Sequence, residues 1–314
     1  MRSRYHIREG IILRRKSLPS GDVVVTLLSE AGKWRGIAKK GKRLGGNLGK
    51  LSLFHDVTVQ HYHKNDDSLA VITQVQLNGA LPRLSDPMIY PYAHLLAELT
   101  DVLSVDVHPG EQMYTYLTSA LRGLVQHPKP DKVALVMSWK LLTQAGLAPR
   151  LARCQQCGSR LRQKAIYLDV AAGEVLCEPC QQGYQFVHGV RLEPNDTFTL
   201  STILQNTVRD ALEQPLTTSL FQWSLLARFV TYHAHTLDSM PVILGMASTA
   251  ARTTSAVPEA TPDITLTTAP ETTAPETTTP ESLPESPPDT APESPPESPP
   301  DTAPNPKDTP CSDC

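Results

Sequence analysis

The residues best placed to do chemistry are four cysteines near the middle of the 314-residue chain, within "RCQQCGSRLRQKAIYLDVAAGEVLCEPC". Cys154 and Cys157 form one C-x2-C pair, and Cys177 and Cys180 form a second one after nineteen intervening residues. This spacing is typical of two zinc knuckles, and four thiolates complete a tetrahedron without leaving a position for water or substrate. The pattern predicts one structural Zn²⁺ ion; free thiols or a redox pair are the alternatives.

The second candidate set is basic. Residues 1–50 hold 13 lysine and arginine residues against three acidic ones, a net charge of +10, whereas the whole chain has a formal net charge of -3. A charge of one sign confined to one segment attracts a polyanion, so we predict nucleic-acid binding, with an anionic membrane surface or a merely solvated basic face as the alternatives. The predicted contacts are Arg14, Arg15, Lys16, Lys33, Arg35, Lys39, Lys40, Lys42, Arg43 and Lys50.

Other chemistries fit the sequence poorly. The glycine-rich stretch "GKRLGGNLGK" lacks the G-x4-G-K-[ST] order of a phosphate-binding loop, and the H-x-E signature of a zinc nucleobase deaminase is missing. His61 with His63 and His233 with His235 form two H-x-H pairs, but each pair lacks a third ligand nearby. A metal-dependent nuclease would need a cluster of carboxylates that is not evident in the sequence.

The elements that must position these residues follow from hydrophobic periodicity. The first eighty residues read as about five short antiparallel strands, including "KWRGIAKK", which predicts a small β-barrel of OB-fold size. On the "KWRGIAKK" strand, Lys33, Arg35 and Lys39 should share one face. Trp34 should lie on the other face, either in the core or as a platform for base stacking. The alternating residues Leu69, Val71, Thr73, Val75 and Leu77 should share one face of the last strand.

After residue 80 the apolar period changes to that of helices. Helical segments are predicted over 87–103, 111–127, 131–146, 198–214 and 218–237, and the cysteine segment is inserted between them. The sequence "AIYLDVAAGEVL" should form a hairpin that brings the two cysteine pairs together.

The C-terminal segment has a different composition. It is rich in Pro, Thr, Ser and Glu with few large apolar residues, and residues 251–314 hold 12 acidic residues against two basic ones. Such a segment cannot bury enough apolar surface to fold, so a disordered acidic tail is expected. Cys311 and Cys314, in "CSDC", lie at its end. The start of the chain shows no signal peptide, and we predict a cytoplasmic protein without membrane contact.

Three stretches together resemble one family, the bacterial recombination mediators called RecO. They are "EGIILRRKSLPSGDVVVTLLSEAGKWRGIAKKGKR", "LLTQAGLAPRLARCQQCG" with Gly146 and Pro149 before the first knuckle, and "LCEPC". The resemblance implies an α+β protein with an N-terminal OB-fold barrel followed by an α-helical domain that carries an inserted four-cysteine zinc module. We assign the barrel to residues 1–80, the helical domain to 81–245 with its insert at 151–185, and a disordered tail to 246–314.

The same resemblance implies a function. Proteins of this family are not enzymes; they bind single- and double-stranded DNA, anneal complementary strands and act with RecR to load RecA onto DNA coated with single-strand-binding protein. It also implies a location at the bacterial nucleoid, and it places Cys154, Cys157, Cys177 and Cys180 on the zinc ligands. The alternative is a zinc-stapled protein that binds RNA or the ribosome.

Overall fold

The structure is a computed structural model that describes residues 5–40, 49–64, 68–104, 111–161, 164–184 and 188–255. It contains five strands, then three helices, then a small three-stranded sheet with one short helix, and finally four more helices. The strands are β1 His6–Ser17, β2 Val23–Ser29, β3 Gly32–Ala38, β4 Asp56–Tyr62, β5 Ala70–Gly79, β6 Ile166–Asp169, β7 Glu174–Cys177 and β8 Gly189–Leu192. The helices are α1 Tyr90–Leu103, α2 Glu111–Gln126, α3 Pro130–Gln144, α4 Glu178–Gln181, α5 Pro194–Gln205, α6 Val208–Glu213, α7 Leu220–His233 and α8 Met240–Ser255.

The first five strands close into a barrel in the order β1-β2-β3-β5-β4, which confirms the predicted OB-fold. The interior is filled by β-branched and aliphatic side chains, among them Ile12, Val25, Leu27 and Val59, all of which are fully buried. One feature differs from the prediction of antiparallel strands: β3 and β5 pair in parallel, and this pairing closes the barrel.

Strand β1 pairs with two neighbouring strands. Its first half pairs with β4 and its second half with β2, so the strand must bend close to Gly10. A Cβ atom on Gly10 would lie 2.4 Å from the carbonyl oxygen of Leu28. Glycine is therefore required here because the two backbones approach too closely for any side chain.

The predicted alternation along β5 is wrong. A β-bulge leaves Thr73 without a partner, because Gln60 pairs with Gln74 while His61 pairs with Ile72. The extra residue changes which side chains of β5 point into the barrel. Ile72 and Val75 therefore fill the interior, whereas Thr73 and Leu77 are exposed. The hydroxyl of Thr73 donates to the carbonyl oxygen of Gln60.

The helical part is organised around α3, which is buried along nearly its whole length. It ends where Gly146 adopts a left-handed conformation (φ +74°), as is common after helices. Two buried lysines of α3 donate to main-chain carbonyls: Lys132 to Leu212 and Lys140 to Asn206. Burial lowers the pKa of both ammonium groups.

Two helix boundaries differ from the sequence prediction. The segment 198–214 forms two helices, because Asn206 is extended and the hydroxyl of Thr207 accepts from the N–H of Asp210 to begin α6. Helix α8 was not among the predicted helices, and it continues to Ser255, past the predicted end of the helical domain at residue 245 and into the predicted tail. Its start is held by Glu98 of α1, which accepts from the N–H groups of Asp238 and Ser239. The rest of the predicted tail lies outside the described residues.

One hydrophobic core runs through the helices, the cysteine segment and one side of the barrel. Ile11, Leu13, Leu28 and Phe54 are the barrel's contribution, and Leu168, Val175 and Leu192 come from the small sheet. The barrel is therefore packed against the helices through an apolar interface that continues their core.

Candidate metal centre and nucleic-acid interface

The first cysteine pair lies on a tight turn. A backbone bridge joins Arg153 to Arg160, and within this turn the N–H of Gly158 donates to the carbonyl oxygen of Cys154 (2.9 Å). Gly158 has φ +69°, which explains why glycine follows the knuckle. The turn directs Cys154 into the core, where it is buried, and leaves Cys157 exposed.

The second pair is carried by the predicted hairpin. Strands β6 and β7 are antiparallel, Cys177 ends β7, and Cys180 lies in the short helix α4 that follows. The hairpin thus brings the two pairs together as predicted, and all four sulfur atoms lie within 4.8 Å of one another. A third strand, β8, which the sequence analysis did not identify, completes the sheet beside β6.

Hydrogen bonds lower the pKa of two of the thiols, those of Cys154 and Cys157. The hydroxyl and the N–H of Ser159 lower the pKa of Cys157 to about 6. Burial raises the pKa of Cys154, but the N–H groups around it, including that of Cys177, outweigh this effect and the net shift is downward. By contrast, the neighbouring thiol of Cys177 and burial raise the pKa of Cys180 to about 12. Four sulfurs this close cannot all be thiolates unless a cation lies among them.

The cluster fits a tetrahedral zinc ion. Zn–S bonds of about 2.3 Å place thiolates about 3.8 Å apart in a regular tetrahedron. The sulfurs of Cys157 and Cys177 are 3.7 Å apart, already near this distance. Four thiolates would fill the coordination sphere and leave no site for a reacting molecule, so the arrangement supports a structural ion and no metal-centred chemistry.

The cysteine module is joined to the last helices. Nε2 of His233, at the end of α7, donates to the carbonyl oxygen of Val170 just after β6 (2.6 Å). The rings of His188 and Tyr232 are 5.1 Å apart beside this bond. The four cysteines therefore hold a small sheet against which α7 ends.

The predicted basic residues divide into several groups, and the first crosses the outer face of the barrel. Arg14 of β1 pairs with Thr26 of β2, which pairs in turn with Arg35 of β3. Directly paired residues point to the same face, and the outer strands are about 10 Å apart. Lys16 follows Arg14 on the same face of β1, and all three cations are exposed. We call Arg14, Lys16 and Arg35 the basic row.

A second group follows strand β3. Lys39 and Lys40 are exposed, and Lys40 adopts φ +52°. The carboxylate of Asp22 accepts from the N–H of Lys40 (2.8 Å) and fixes this turn, and that hydrogen bond is the main reason that the pKa of Asp22 is lowered. Lys42 and Arg43 lie outside the described residues.

Three further predicted contacts have protein partners. Nζ of Lys33 donates to the main-chain oxygen of Asp101 in α1 and lies 3.4 Å from its carboxylate, and this side chain is 9 % exposed. Lys50 donates to the carbonyl oxygen of Val75, and Arg15 to the hydroxyl of Ser52. The geometry favours a structural role for Lys33 over the predicted DNA contact, because its ammonium group already pairs with Asp101 and so links the barrel to α1.

Sequence reasoning missed a pocket of about 550 Å³ beside the basic row. Its polar lining comes from parts of the barrel that are distant in the chain: His6 and Arg8 of β1, Trp34 and Arg35 of β3, His61 of β4, and His63 and Ser68 between β4 and β5. The H-x-H spacing at the end of β4 was a signal, but the pairing of His61 with His6 of β1 needs the register of the barrel. Trp34 is half-buried between the barrel core and this pocket, and its indole lies across Gly36.

The histidines of the pocket do not form a second metal centre. Across the described ranges, the four cysteines are the group of three or more potential ligand residues that could hold an ion together. None of the described helices is both long enough and apolar enough to cross a membrane.

Comparison with known proteins identifies the family. Residues 1–80 match the family described as recombination protein O N terminal, and residues 84–233 match that described as recombination protein O C terminal. A protein of Bifidobacterium longum (strain DJO10A) named DNA repair protein RecO is 32 % identical over 178 residues, which cover 54 % of this chain and 72 % of that protein.

Two further proteins with the same name are similar. The one from Synechococcus sp. (strain JA-3-3Ab) is 27 % identical over 240 residues, which cover 72 % of this chain and 79 % of that protein. The one from Desulfitobacterium hafniense (strain DSM 10664 / DCB-2) is 28 % identical over 179 residues, and this match spans 56 % of the chain and only 64 % of the relative's length. The barrel, helices α1 to α7 and both cysteine pairs thus fall within the matched residues, and the chain belongs to the RecO family of recombination proteins.

Proposed function

We propose that this protein acts in DNA repair and homologous recombination by binding DNA on the outer face of its barrel and annealing complementary single strands. The observation that carries the proposal is the basic row, in which the strand register brings Arg14 and Arg35 to the same face two strands apart. Lys39 and Lys40 extend the charge beyond the end of β3. The family membership and the names of the relatives support the same role.

A row of cations on a sheet surface suits annealing. Arginine and lysine contact phosphates without regard to sequence, and neutralised strands can approach each other because their mutual repulsion falls. The row is open because Arg14, Lys16 and Arg35 are exposed. DNA held there by its phosphates would keep its base edges accessible to a complementary strand. Duplex DNA offers the same phosphates, so we propose binding to both forms.

The proposed partners are RecR, single-strand-binding protein and, indirectly, RecA, at the nucleoid of the bacterial cytoplasm. These partners rest on the family resemblance. The proposed metal is one Zn²⁺ ion held by Cys154, Cys157, Cys177 and Cys180, whose fit to a tetrahedral site supports it. The protein would need no nucleotide and would catalyse no bond cleavage.

Annealing of two complementary labelled oligonucleotides tests the proposal. The full chain should accelerate annealing without ATP, both on bare strands and on strands coated with single-strand-binding protein. With about six phosphates contacted, the logarithm of single-strand affinity should fall with the logarithm of salt concentration, with a slope of about -4.

Variants locate the interface. Replacing Arg14, Lys16 and Arg35 together with methionine should flatten the salt slope by about 2 and slow annealing, because three phosphate contacts are lost. Replacing the surface residue Arg209, which lies in α6 outside the barrel and is paired with Glu213, is the matched control and should change neither. An unchanged slope in the triple variant would move the DNA site away from the row. Tighter binding to RNA than to DNA of the same sequence would instead favour an RNA-binding role.

A further inference from the structure

The pocket beside the basic row is built differently from the row itself. It has about 550 Å³ of space, within the range of small-molecule sites, and is lined by both apolar and cationic side chains. Ile7 and Leu69 form apolar walls at its mouth although they are 70 % and 45 % exposed. Exposed aliphatic side chains beside a cavity are a feature of ligand sites more than of a purely ionic surface.

His61 provides the most specific observation. The residue is 5 % exposed and lines the pocket, yet its Nδ1 is enclosed and makes no hydrogen bond within the described part of the chain. Buried polar atoms are nearly always hydrogen-bonded, because an unsatisfied one costs free energy. Burial, together with the positive charges of His63, Arg8 and His6, lowers the pKa of His61 to about 4, so the ring is neutral at pH 7. A neutral imidazole has one donor and one acceptor nitrogen to offer a ligand.

Two arginines flank this ring. Arg8 comes from β1 and Arg35 from β3, and both line the pocket. Among the described residues neither forms an ion pair or a hydrogen bond through its guanidinium group. Arg35 also belongs to the basic row, so a strand that crosses the row reaches the pocket at this residue.

We propose that this pocket takes one unstacked nucleotide of a single DNA strand, with its base between the indole of Trp34 and the apolar walls, its base edge at His61 and its phosphate at Arg8 and Arg35. The inference rests on the proposed function and deepens it, because it adds a base contact to the phosphate contacts of the row. A base paired within a duplex cannot enter the pocket without leaving its stack. The pocket should therefore give the barrel a preference for single strands.

Tryptophan fluorescence offers a direct readout. The chain has three tryptophans, and Trp139 and Trp223 are fully buried in the helical core at 0 % and 1 % exposure. Trp34 is the one that lines the pocket. A change of emission on adding an oligonucleotide should thus come from Trp34, and the variant Trp34→Phe should abolish it.

The experiment compares two oligonucleotides of about twelve units with the full chain: oligothymidylate and an abasic strand with the same number of phosphates. Oligothymidylate should change the emission and bind at least about fivefold more tightly than the abasic strand, since one stacked base contributes about 1 to 3 kcal/mol. Inorganic phosphate alone should leave the emission unchanged.

Two variants should remove this discrimination. His61→Phe keeps a ring beside Trp34 but removes both nitrogens, and Ile7→Ser removes an apolar wall at a position that is 70 % exposed and outside both hydrophobic cores. Each should lower oligothymidylate affinity toward that of the abasic strand and leave the abasic affinity unchanged. Arg14→Met, in the row but outside the pocket, is the matched control and should weaken both ligands by the same factor.

The outcomes separate the two proposals. Equal affinity of the wild-type protein for both oligonucleotides, with a normal salt slope, would overturn the pocket and leave the basic row intact. An equal emission change with inorganic phosphate would also overturn it, because the pocket would then bind an anion only. Absence of salt-dependent binding to either oligonucleotide would overturn the proposed function itself.

Discussion

Two lysines at the two ends of strand β3 have different surroundings, and this distinguishes a charge that holds the barrel against the helices from a charge that is available for the proposed DNA contacts. The ammonium group of Lys33 lies against Asp101 of α1, and the two side chains are 9 % and 12 % exposed. Lys39 is exposed beyond the end of the same strand. Net charge alone, which was the basis of the sequence prediction, cannot make this distinction.

Lys33→Met should therefore lower the free energy of unfolding by roughly 2 kcal/mol, because it leaves the carboxylate of Asp101 nearly buried without its cation. Lys39→Met should change stability by less than about 0.5 kcal/mol and reduce the salt slope of DNA binding by about 0.7. Urea unfolding and binding titrations on both variants measure these effects. A normal stability with a reduced slope for Lys33→Met would restore this residue to the proposed DNA interface.

The neutral His61 predicts a pH dependence of stability. Its folded pKa of about 4 is lower than the ordinary 6.5, so an unfolded chain binds a proton between these values that the folded barrel excludes. Stability should fall as the pH drops through this window, by roughly 2 kcal/mol for this group. Urea unfolding from about pH 7.5 to about pH 4.5 measures the loss, which should be smaller by that amount in His61→Gln. Parallel pH profiles for the two proteins would mean that another group is responsible.

At the scale of elements, the bend of β1 at Gly10 allows this one strand to pair with β4 through its first half and with β2 through its second half. Gly10→Ala should destabilise the protein by about 2 kcal/mol or more, because its Cβ would lie 2.4 Å from the main-chain oxygen of Leu28. Gly79→Ala is the matched control, since a Cβ there meets nothing within 4 Å. Thermal unfolding of both variants tests this, and equal stability would show that β1 can shift away from β2 at no cost.

The elements also show what the sequence could predict. The β-branched runs and the helical periods identified the five barrel strands, the main helices and the hairpin between the cysteine pairs, because each pattern is local. Three features were not predicted: the bulge at Thr73, the parallel pairing of β3 with β5, and the end of helix α5 before Asn206. Each of these depends on a partner strand or on a capping hydroxyl whose choice is made in the folded chain.

The same distinction applies to the sites. The spacing of the four cysteines was enough to predict that their sulfur atoms come together, because each C-x2-C turn is local and one hairpin joins the two pairs. The pocket needs residues from three strands whose adjacency follows from barrel closure. Lys33 could not be separated from its neighbours until the position of Asp101 was known.

At the scale of the whole molecule, the cysteine module packs against the end of helix α7 and contributes to the core that the helices share. Its sheet contributes Leu168, Val175 and Leu192 to the shared core, and Val170 accepts the hydrogen bond from His233. A metal ion at the four sulfurs would thus stabilise much more than its own loop.

Metal removal tests this dependence. The protein should contain one Zn²⁺ per chain, and Cys177→Ser or a strong chelator should remove it and lower the free energy of unfolding by several kcal/mol. Metal analysis and thermal unfolding measure both effects. Replacing Cys311 and Cys314, which lie outside the described residues, with serine is the matched control and should change neither. A metal-free protein that unfolds at the wild-type temperature would show that packing alone holds the module.

The core that barrel and helices share has a consequence for taking the protein apart. Ile11, Leu13, Leu28 and Phe54 are covered by the helical part, so a fragment ending near residue 80 would expose them as one apolar patch. Such a patch favours self-association over a soluble monomer. A recombinant barrel fragment is therefore expected to aggregate, and tests of the proposed DNA binding need either the intact chain or polar replacements at these four positions.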